Sequence, residues 1–399
     1  MIDKGPLTGI KVIDLTAMVS GPVATMMLGD QGADVIKIEP LSGELMRSVG
    51  APNNGMTTSF LCSNRSKRSL TINLKDIEGI KIIKKLIKNA DVIVQNFRPG
   101  TMKRMGLSYE EVKKINSNII YTSISGFGDK GPYSKQRVYD PIIQALSGLA
   151  DIQRDQETKF PKMVRTIIPD KTTGMAAAQA ISSALFYRER YGKGQHIKLA
   201  MLDVMIAYLW PEGSSSLSFV GKESDPSSGQ MGLDLVFETN DNKFITAGAV
   251  TDKEWLGMCN AFDRKDLLVD PRFNTPRSRF DNKTERRLII AQEIKKHKAN
   301  DILQKLATNE VPSAPILNRE ELIENEQVLQ NKIIEFHDSN IFGKIRSPRP
   351  APIYSESPLS GEQLAPLLGE NSIEILKELN YSDDEIKIFI KGNITSTFI

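Results

Sequence analysis

The stretch that decides the fold opens the chain: Ile10-Lys-Val-Ile-Asp-Leu-Thr-Ala-Met-Val-Ser20-Gly-Pro22. Its first part, Ile10 to Leu15, is a short run rich in β-branched residues, which is typical of a strand. Ser20-Gly21-Pro22 predicts the start of a helix that ends near Gly32, because proline fits the first turn of a helix. A second strand follows at Val35-Ile-Lys-Ile-Glu39. The pattern predicts a βαβ unit, the opening of a Rossmann-like domain.

The turn after the first strand lacks one feature of dinucleotide-binding domains. Thr16 to Pro22 contains no G-x-G-x-x-G pattern. The glycines of that pattern let the backbone approach a pyrophosphate, so a dinucleotide turn is not supported here.

Strands and helices continue to alternate through the first half of the chain. We expect strands at 69–74, 91–94 and 119–124, and helices at 77–90 and 109–116. Alternation of this kind predicts an α/β domain whose sheet is mostly parallel, with right-handed crossovers.

The chain is longer than one ordinary core, since it has 399 residues. Residues 211–229 are rich in Ser, Gly and Pro, which indicates a linker. We therefore expect a large Rossmann-like domain at 1–210 and 340–399, and a smaller α+β domain at 230–339. The segments expected beyond the linker are hairpin strands at 235–239 and 244–248, helices at 253–262 and 283–306, a stiff extended connector at 346–352, and a helix at 372–379 that returns to the first domain.

Composition excludes several function classes. Lys and Arg number 52 against 49 Asp and Glu, so general nucleic-acid or membrane binding is not indicated. Two cysteines, Cys62 and Cys259, and three scattered histidines, His196, His297 and His337, offer no metal-ligand spacing. The sequence shows no secretory leader and no run of about 18 apolar residues, which favours a cytoplasmic protein.

Asp170 is the leading candidate for chemistry. It follows Pro169 and precedes a small, apolar helix that the sequence predicts from about Thr172 to Phe186. Near a helix N-cap, unpaired N–H groups and the dipole favour an ionised carboxylate, which can act as a nucleophile or simply cap the helix. Position alone leaves both roles open.

Cations recur at predicted strand ends and turns between residues 64 and 137. They are Arg65, Lys67, Arg68, Lys75, Arg98, Lys103, Arg104 and Arg137. The carboxyl ends of parallel strands form the ligand crevice of an open sheet, so these cations could hold a phosphorylated, adenine-bearing ligand, or could be solvated loop charges. Phe97 could stack on an adenine or pack on the core.

Other nucleophiles have little support in the sequence. There is no G-x-S-x-G elbow and no local Cys–His signature, and three histidines make a triad implausible. A carboxylate is therefore the remaining candidate nucleophile. Its attack on a thioester would give a mixed anhydride, which a thiolate or a second carboxylate can open.

These motifs together resemble the class III CoA-transferases, the CaiB/BaiF family. The resemblance runs nearly end to end through segments at 9–16, 20–22, 32–39, 64–71, 91–100, 123–128, 139–140, 144–148, 192–195, 270–273 and 367–370. It implies an α/β fold built as an interlocked homodimer, in which a Rossmann-like large domain and a small α+β domain are joined by long linkers.

The resemblance also implies site residues. Asp170 would be the catalytic aspartate, carrying first an acyl anhydride and then a CoA thioester. CoA, a substrate rather than a tightly bound cofactor, would contact Val19, Ser20, Ile72, Asn73, Leu74, Lys75, Asn96, Phe97, Arg98, Arg104, Met105, Arg137, Tyr139 and Asp140. No metal is implied.

The alternative within the same family is an α-methylacyl-CoA racemase. Racemases are similar to this chain but need proton-exchanging groups where it has Tyr139 and Thr251. Transfer is therefore favoured, with Tyr139 either positioning the substrate or packing as a core aromatic. A protein that binds CoA without catalysis is a third possibility.

Substrate identity stays open at this point. Oxalate-using members look to have a glutamine at the position of Val19 and a glycine-rich loop where this chain has Gly248-Ala249-Val250, which disfavours oxalate. The Gly248 turn could cover the acyl site or merely end a strand. Succinyl-CoA is the expected donor by resemblance, with an unspecified carboxylic acid as acceptor.

Overall fold

The computed structural model describes residues 5–155, 157–223, 235–359 and 364–398. Residues 224–229 of the predicted linker and 230–234 of the predicted small domain lie outside these ranges. The chain divides into two compact units, the first formed by residues up to Pro211 together with those from Ile333 onward, and the second by Glu212–Lys332.

Unit 1 is built on a six-stranded, fully parallel sheet. Its strands are β1 (Lys11–Leu15), β2 (Asp34–Glu39), β3 (Arg68–Thr71), β4 (Val92–Gln95), β5 (Ile120–Ser125) and β6 (Gln195–Ala200). They lie in the order β3-β2-β1-β4-β5-β6, the arrangement of dinucleotide-binding folds. The predicted mostly parallel α/β fold is confirmed.

Helices cover both faces of this sheet. They are α1 (Ser20–Asp30), α2 (Thr58–Asn64), α3 (Ile77–Ile87), α4 (Thr101–Arg104), α5 (Tyr109–Ile115), α6 (Asp140–Leu146), α7 (Leu149–Ile152), α8 (Ile168–Tyr191), α9 (Met201–Leu209), and, after unit 2, α17 (Ser372–Glu378) and α18 (Asp383–Lys391). The alternation of side chains places Val12 in the core under α1 and α8, and Ile13 in the opposite core under α3. Strands buried on both faces explain the continuous apolar runs of the sequence.

The outer strand β3 is covered by residues near the end of the chain. The N–H of Asn73 donates to the carbonyl of Ile394 at 2.8 Å. Thr395 Oγ1 donates to the carbonyl of Thr71 at 2.7 Å, and the N–H of Ser396 donates to Thr71 Oγ1 at 2.8 Å. These bonds cover the carboxyl end of an outer strand, where backbone groups would otherwise be unpaired.

The hairpin of β10 (Ile334–Ser339) and β11 (Gly343–Pro348) also falls in unit 1. It corrects the predicted connector, because Arg346, Ser347 and Pro348 are the last residues of a paired strand. Pro348 lies at the end of β11, where a missing N–H is tolerated.

Unit 2 is a small α+β unit. Its strands β7 (Val236–Glu238), β8 (Phe244–Ala247) and β9 (Ser313–Pro315) form an antiparallel sheet, and its helices are α10 (Asp252–Phe262), α11 (Asp266–Val269), α12 (Pro276–Asp281), α13 (Lys283–Ile294), α14 (Ala299–Thr308), α15 (Arg319–Glu324) and α16 (Glu326–Gln330). The predicted β7–β8 hairpin is observed. The helix expected over 283–306 is two helices, because the chain turns between α13 and α14, where the N–H of Asn240 binds the carbonyl of His297 at 2.9 Å.

Candidate active site

Asp170 lies in the first turn of α8, not at its cap. The helix begins at Ile168, so Asp170 is its third residue, and Ile167 is the N-cap. The sequence placed the start later because the pre-proline residue was expected to be extended. Proline instead occupies the second helical position, where its missing N–H costs nothing.

Three helix N-termini meet at this carboxyl group. Asp140, the first residue of α6, accepts a hydrogen bond from the backbone N–H of Asp170 through its Oδ2 at 3.2 Å. Ser20, the first residue of α1, hydrogen-bonds to the Asp170 carboxyl through its hydroxyl and its backbone N–H. Gln144 holds the other oxygen of Asp140 at 2.6 Å. Asp170 is thus fixed on one side by a donor and on the other by a buried carboxylate.

This environment raises the pKa of Asp170 to about 6. Burial is the main cause and the charge of Asp140 adds to it, whereas the hydrogen bonds from Ser20 act in the opposite direction. Burial and the charge of Asp140 therefore outweigh the donors that favour the ionised form at this helix terminus. A carboxyl with this pKa is ionised at neutral pH yet poorly solvated, which suits a nucleophile.

The predicted CoA contacts fall on one edge of the sheet. Val19 and Ser20 follow β1, Ile72–Lys75 follow β3, and Asn96–Arg98 follow β4. Arg104 ends α4, Met105 comes directly after it, and Arg137–Asp140 lie beyond β5. Because the strands are parallel, their carboxyl ends share that edge.

The predicted contacts differ in accessibility. Lys75, Arg98, Arg104, Arg137 and Tyr139 are exposed. The side chains of Val19, Ile72 and Asp140 are buried, so at those positions only the backbone can reach a ligand. The carboxylate of Asp140 already accepts hydrogen bonds from Asp170 and Gln144, and the sequence did not predict this role. The sequence did contain a signal for this role, because Asp140-Pro141 is typical of a helix start and Gln144 lies one turn later.

Three of the predicted cations serve the fold rather than a ligand. Arg65 pairs with Asp30 at 2.7 Å, and Lys67 pairs with Asp14 at 2.9 Å with both side chains fully buried. Arg68 pairs with Asp34, Glu374 and Glu378. Lys75, Arg98, Lys103, Arg104 and Arg137 remain as cations available to a phosphorylated ligand.

A buried ionic network fixes the loop that carries Ser20. Lys37 lies 3.2 Å from Glu44 and donates to the carbonyl of Thr16 at 3.1 Å. Glu44 accepts the N–H of Met18 at 2.9 Å, and Met18 has a left-handed φ of 68°. Asn96 holds the same loop through both polar groups of Ala17, at 2.8 and 3.0 Å. The network imposes a conformation that an isolated chain would avoid.

A cavity of about 560 Å³ opens at the ends of β4, β5 and β6. Phe97 and Arg98 line it, together with Lys103, Lys130 and Lys198. Ser123 and His196 also line it, and Ser123 Oγ lies 2.9 Å from His196 Nε2, a pairing between neighbouring strands that no local sequence pattern predicts. In the described part of the chain no carboxylate hydrogen-bonds to the second nitrogen of His196, so the pair is not a triad.

Comparison with known proteins decides the family. The model of CoA-transferase family III matches residues 7–372. The chain belongs to CoA-transferase family III.

Several relatives of this family III chain have named activities. It is 35% identical to the succinyl-CoA:glutarate CoA-transferase of Homo sapiens, over 98% of this chain and 90% of that protein. It is 33% identical to the succinate–glutarate CoA-transferase of Agrobacterium fabrum, over 94% and 96% of the two chains. A CaiB/BaiF family protein from Brucella suis has a solved structure with a TM-score of 0.81, 30% identity, and coverage of 94% of this chain and 100% of that one.

Family III membership identifies the chemistry as CoA transfer between an acyl-CoA and a carboxylate. Among the residues that the structure describes, no group of three or more His, Cys, Asp or Glu side chains is arranged to hold a metal ion. No helix in the described ranges is both long and apolar enough to cross a membrane.

Proposed function

We propose that Asp170 carries the group in transfer during CoA exchange. The observation that supports this is the position of Asp170. Its carboxyl is half-buried where three helix N-termini meet, and it is hydrogen-bonded to Ser20. Ser20 follows β1 at the carboxyl edge of the parallel sheet, the edge at which such sheets bind nucleotides. Donors at helix N-termini stabilise negative charge, so they also suit the oxyanion that forms when a carbonyl is attacked.

The proposed reaction passes through two covalent forms of Asp170. Its carboxylate attacks the thioester carbonyl of the donor, which breaks the C–S bond and gives an acyl anhydride and CoA thiolate. The thiolate then attacks the aspartyl carbonyl, releasing the donor acid and leaving an aspartyl-CoA thioester. The acceptor carboxylate repeats the two steps in reverse order, and the product acyl-CoA leaves with Asp170 regenerated.

The CoA site in this proposal combines backbone groups with exposed cations. Lys75, Arg98, Arg104 and Arg137 supply charge for the phosphates, and Phe97 supplies an aromatic surface. Backbone groups at Val19, Ser20, Ile72, Asn73 and Leu74 supply further contacts, with Asn96, Met105 and Tyr139 at the rim. Asp140 positions Asp170 rather than CoA.

We propose succinyl-CoA as donor and glutarate as acceptor. Two relatives at 33% and 35% identity, aligned over nearly the whole chain, bear these names. Val19 and the Gly248-Ala249-Val250 turn stand where a glutamine and a glycine-rich loop are expected for an oxalate-using enzyme.

We further propose that the working enzyme is a homodimer of interlocked chains, with the large and small domains joined by linkers. Unit 1 exposes a series of large apolar side chains on α8 and α9, namely Met175, Phe186, Tyr187, Tyr191, Ile206 and Tyr208. An exposed apolar surface of this extent is typical of an interface.

The decisive experiment is a transfer assay with adduct trapping. Succinyl-CoA and glutarate are incubated with the parent protein, Asp170→Ala and Asp151→Asn, the last an exposed carboxyl control. We expect Asp170→Ala to lose at least about 10³-fold in kcat, as enzymes do on loss of a nucleophile, and Asp151→Asn to lose little. Mass spectrometry of hydroxylamine-treated parent should show a hydroxamate at Asp170.

Three other outcomes contradict the proposal. Full turnover by Asp170→Ala would reject the nucleophile. Solvent deuterium at the substrate α-carbon without any acceptor acid would indicate a racemase. CoA binding without exchange across a panel of acyl-CoAs and acids would indicate a protein without catalysis.

A further inference from the structure

Unit 2 contains a second cavity, of about 340 Å³. It lies between the sheet residues Phe237 and Ala247, the turn at Gly248–Val250, and the helices α12 and α13. The whole lining belongs to unit 2.

The lining of this cavity is strongly cationic. Arg277, Arg279, Lys283, Arg286 and Arg287 line it, and among the described residues no Asp or Glu does. Arg277 and Arg279 each form an ion pair with a carboxylate outside the lining. Arg277 pairs with Asp281 at 2.9 Å, and Arg279 pairs with Asp252.

Arg286 has no such compensation. It is half-buried, and no residue in the described ranges forms an ion pair or side-chain hydrogen bond with its guanidinium. Burial and the neighbouring charge of Arg279 lower its pKa. A guanidinium nevertheless stays protonated at neutral pH, so the pocket presents a half-buried cation without a carboxylate partner among the described residues. Unfavourable charges of this kind are typical of functional sites.

The remaining walls are apolar. Leu235, Phe237, Phe280 and Ile290 surround the cations with hydrocarbon. This combination matches a ligand that has an anionic group on a short apolar chain, and the cavity is at the lower end of the sizes that hold small molecules. The planar guanidinium can donate two parallel N–H bonds to a carboxylate.

We infer that this pocket of unit 2 binds a small organic carboxylate, with the guanidinium of Arg286 as its main anchor. The carboxylate is held on two N–H groups of the guanidinium, its hydrocarbon part lies against Phe237 and Phe280, and Arg279 adds positive charge to the lining. The inference concerns binding alone and requires no transfer step.

Calorimetric titration of the full chain with glutarate, without CoA, tests it. We expect binding that Arg286→Gln weakens about 10-fold or more, the usual effect of losing a charged bidentate contact. Arg277→Gln is the matched control, since Arg277 lines the rim but is paired with Asp281 and mostly exposed, and it should change affinity less than about twofold. Arg286→Lys, which keeps the charge but lacks the planar fork, should fall between them.

The glutarate binding that Arg286→Gln weakens should be retained by Asp170→Ala, which distinguishes this pocket from the proposed transfer site. Arg286→Gln without ligand should melt no lower than the parent, because it removes an uncompensated charge. The inference is overturned if the parent does not bind glutarate, if Arg286→Gln binds it equally well, or if inorganic phosphate binds as tightly as glutarate. A parallel loss of binding in Arg277→Gln would also overturn it, since general surface charge would then be the cause.

Discussion

Asp170 and Asp140 illustrate how two carboxyl groups with different surroundings divide their roles. Asp140 is almost fully buried and hydrogen-bonded to Gln144 and to the N–H of Asp170, whereas the carboxyl of Asp170 is half-buried and lies next to Ser20. Opposed environments for neighbouring acids are typical of catalytic pairs. The pH dependence of the reaction should report this arrangement.

The rate of transfer should rise with pH through about 6. Because the pKa of Asp170 is raised to about 6, the carboxyl is protonated below that pH and cannot attack, while above it the carboxylate form predominates. We expect kcat/KM to increase about tenfold per pH unit below the inflection and to level off above it. A profile flat from pH 4.5 to 8 would show that the ionisation of this group does not limit the reaction.

Asp140→Asn should move that inflection to lower pH. The substitution removes the neighbouring negative charge, which is one cause of the raised pKa, while burial, the larger cause, remains. Asp151→Asn is the control and should leave the inflection in place, because Asp151 lies on the exposed surface of α7. The pH profiles of kcat/KM for the three proteins provide the measurement. Equal inflections in all three would contradict the proposed coupling.

At the scale of elements, the crossing of α1 and α8 depends on Gly174. A Cβ built there would meet the carbonyl of Ser20 at 2.8 Å and Val23 at 2.9 Å. Alanine normally stabilises a helix relative to glycine, but here the clash is with backbone that cannot rotate away. We expect Gly174→Ala to lower stability by about 1–3 kcal/mol and to reduce transfer by displacing Ser20.

Ser183→Ala, on the exposed face of the same helix, is the matched control and should leave both properties unchanged. Urea denaturation and the transfer assay measure the two effects. A Gly174→Ala protein with parental stability and rate would show that the two helices can separate freely at this point.

The buried network at the Thr16–Ser20 loop should matter far more than surface ion pairs. Glu44→Gln leaves the fully buried Lys37 with a weakened partner, so we expect a loss of about 3 kcal/mol in stability together with slower transfer. Glu78→Gln breaks the exposed pair with Lys81 and should have little effect. Urea midpoints compare the two variants, and similar midpoints would refute the ranking.

Much of unit 1 could be predicted from the sequence because its strands are short, β-branched and buried on both faces. β1, β2 and β4 differ from prediction by a residue or so at each end. The start of α8 was predicted too late, because a proline within the first turn of a helix is a weak local signal. The end of α13 was not predicted, because it lies at a turn within a polar run. The pairing of Asp140 with Asp170 depends on packing between α6 and α8, which no local pattern encodes. The roles of Arg65, Lys67 and Arg68 stayed open between ligand contact and solvated charge, because sequence shows a charge but not its partner.

At the scale of the whole molecule, the exposed aromatic residues of α8 and α9 predict association. Multi-angle light scattering should give about twice the 44.4 kDa mass of one chain across the micromolar range. Phe186→Asp combined with Tyr208→Asp should weaken the assembly or lower its melting temperature, whereas Ile77→Asp, an exposed apolar residue on α3, should not. A parent protein that remains monomeric at these concentrations contradicts the proposed dimer.

The covering of β3 by Thr395 and Ser396 has a consequence for biosynthesis. Thr71 leaves the ribosome 325 residues before Ser396 does, and the contiguous chain of unit 2 is made in between. Unit 2 can fold while translation continues, but Thr71 lacks these partners until residues 394–396 have been made. A nascent chain stalled before codon 394 should therefore recruit chaperones at that end of β3, and synthesis of residues 394–396, not emergence of Asp170, completes this edge of the sheet.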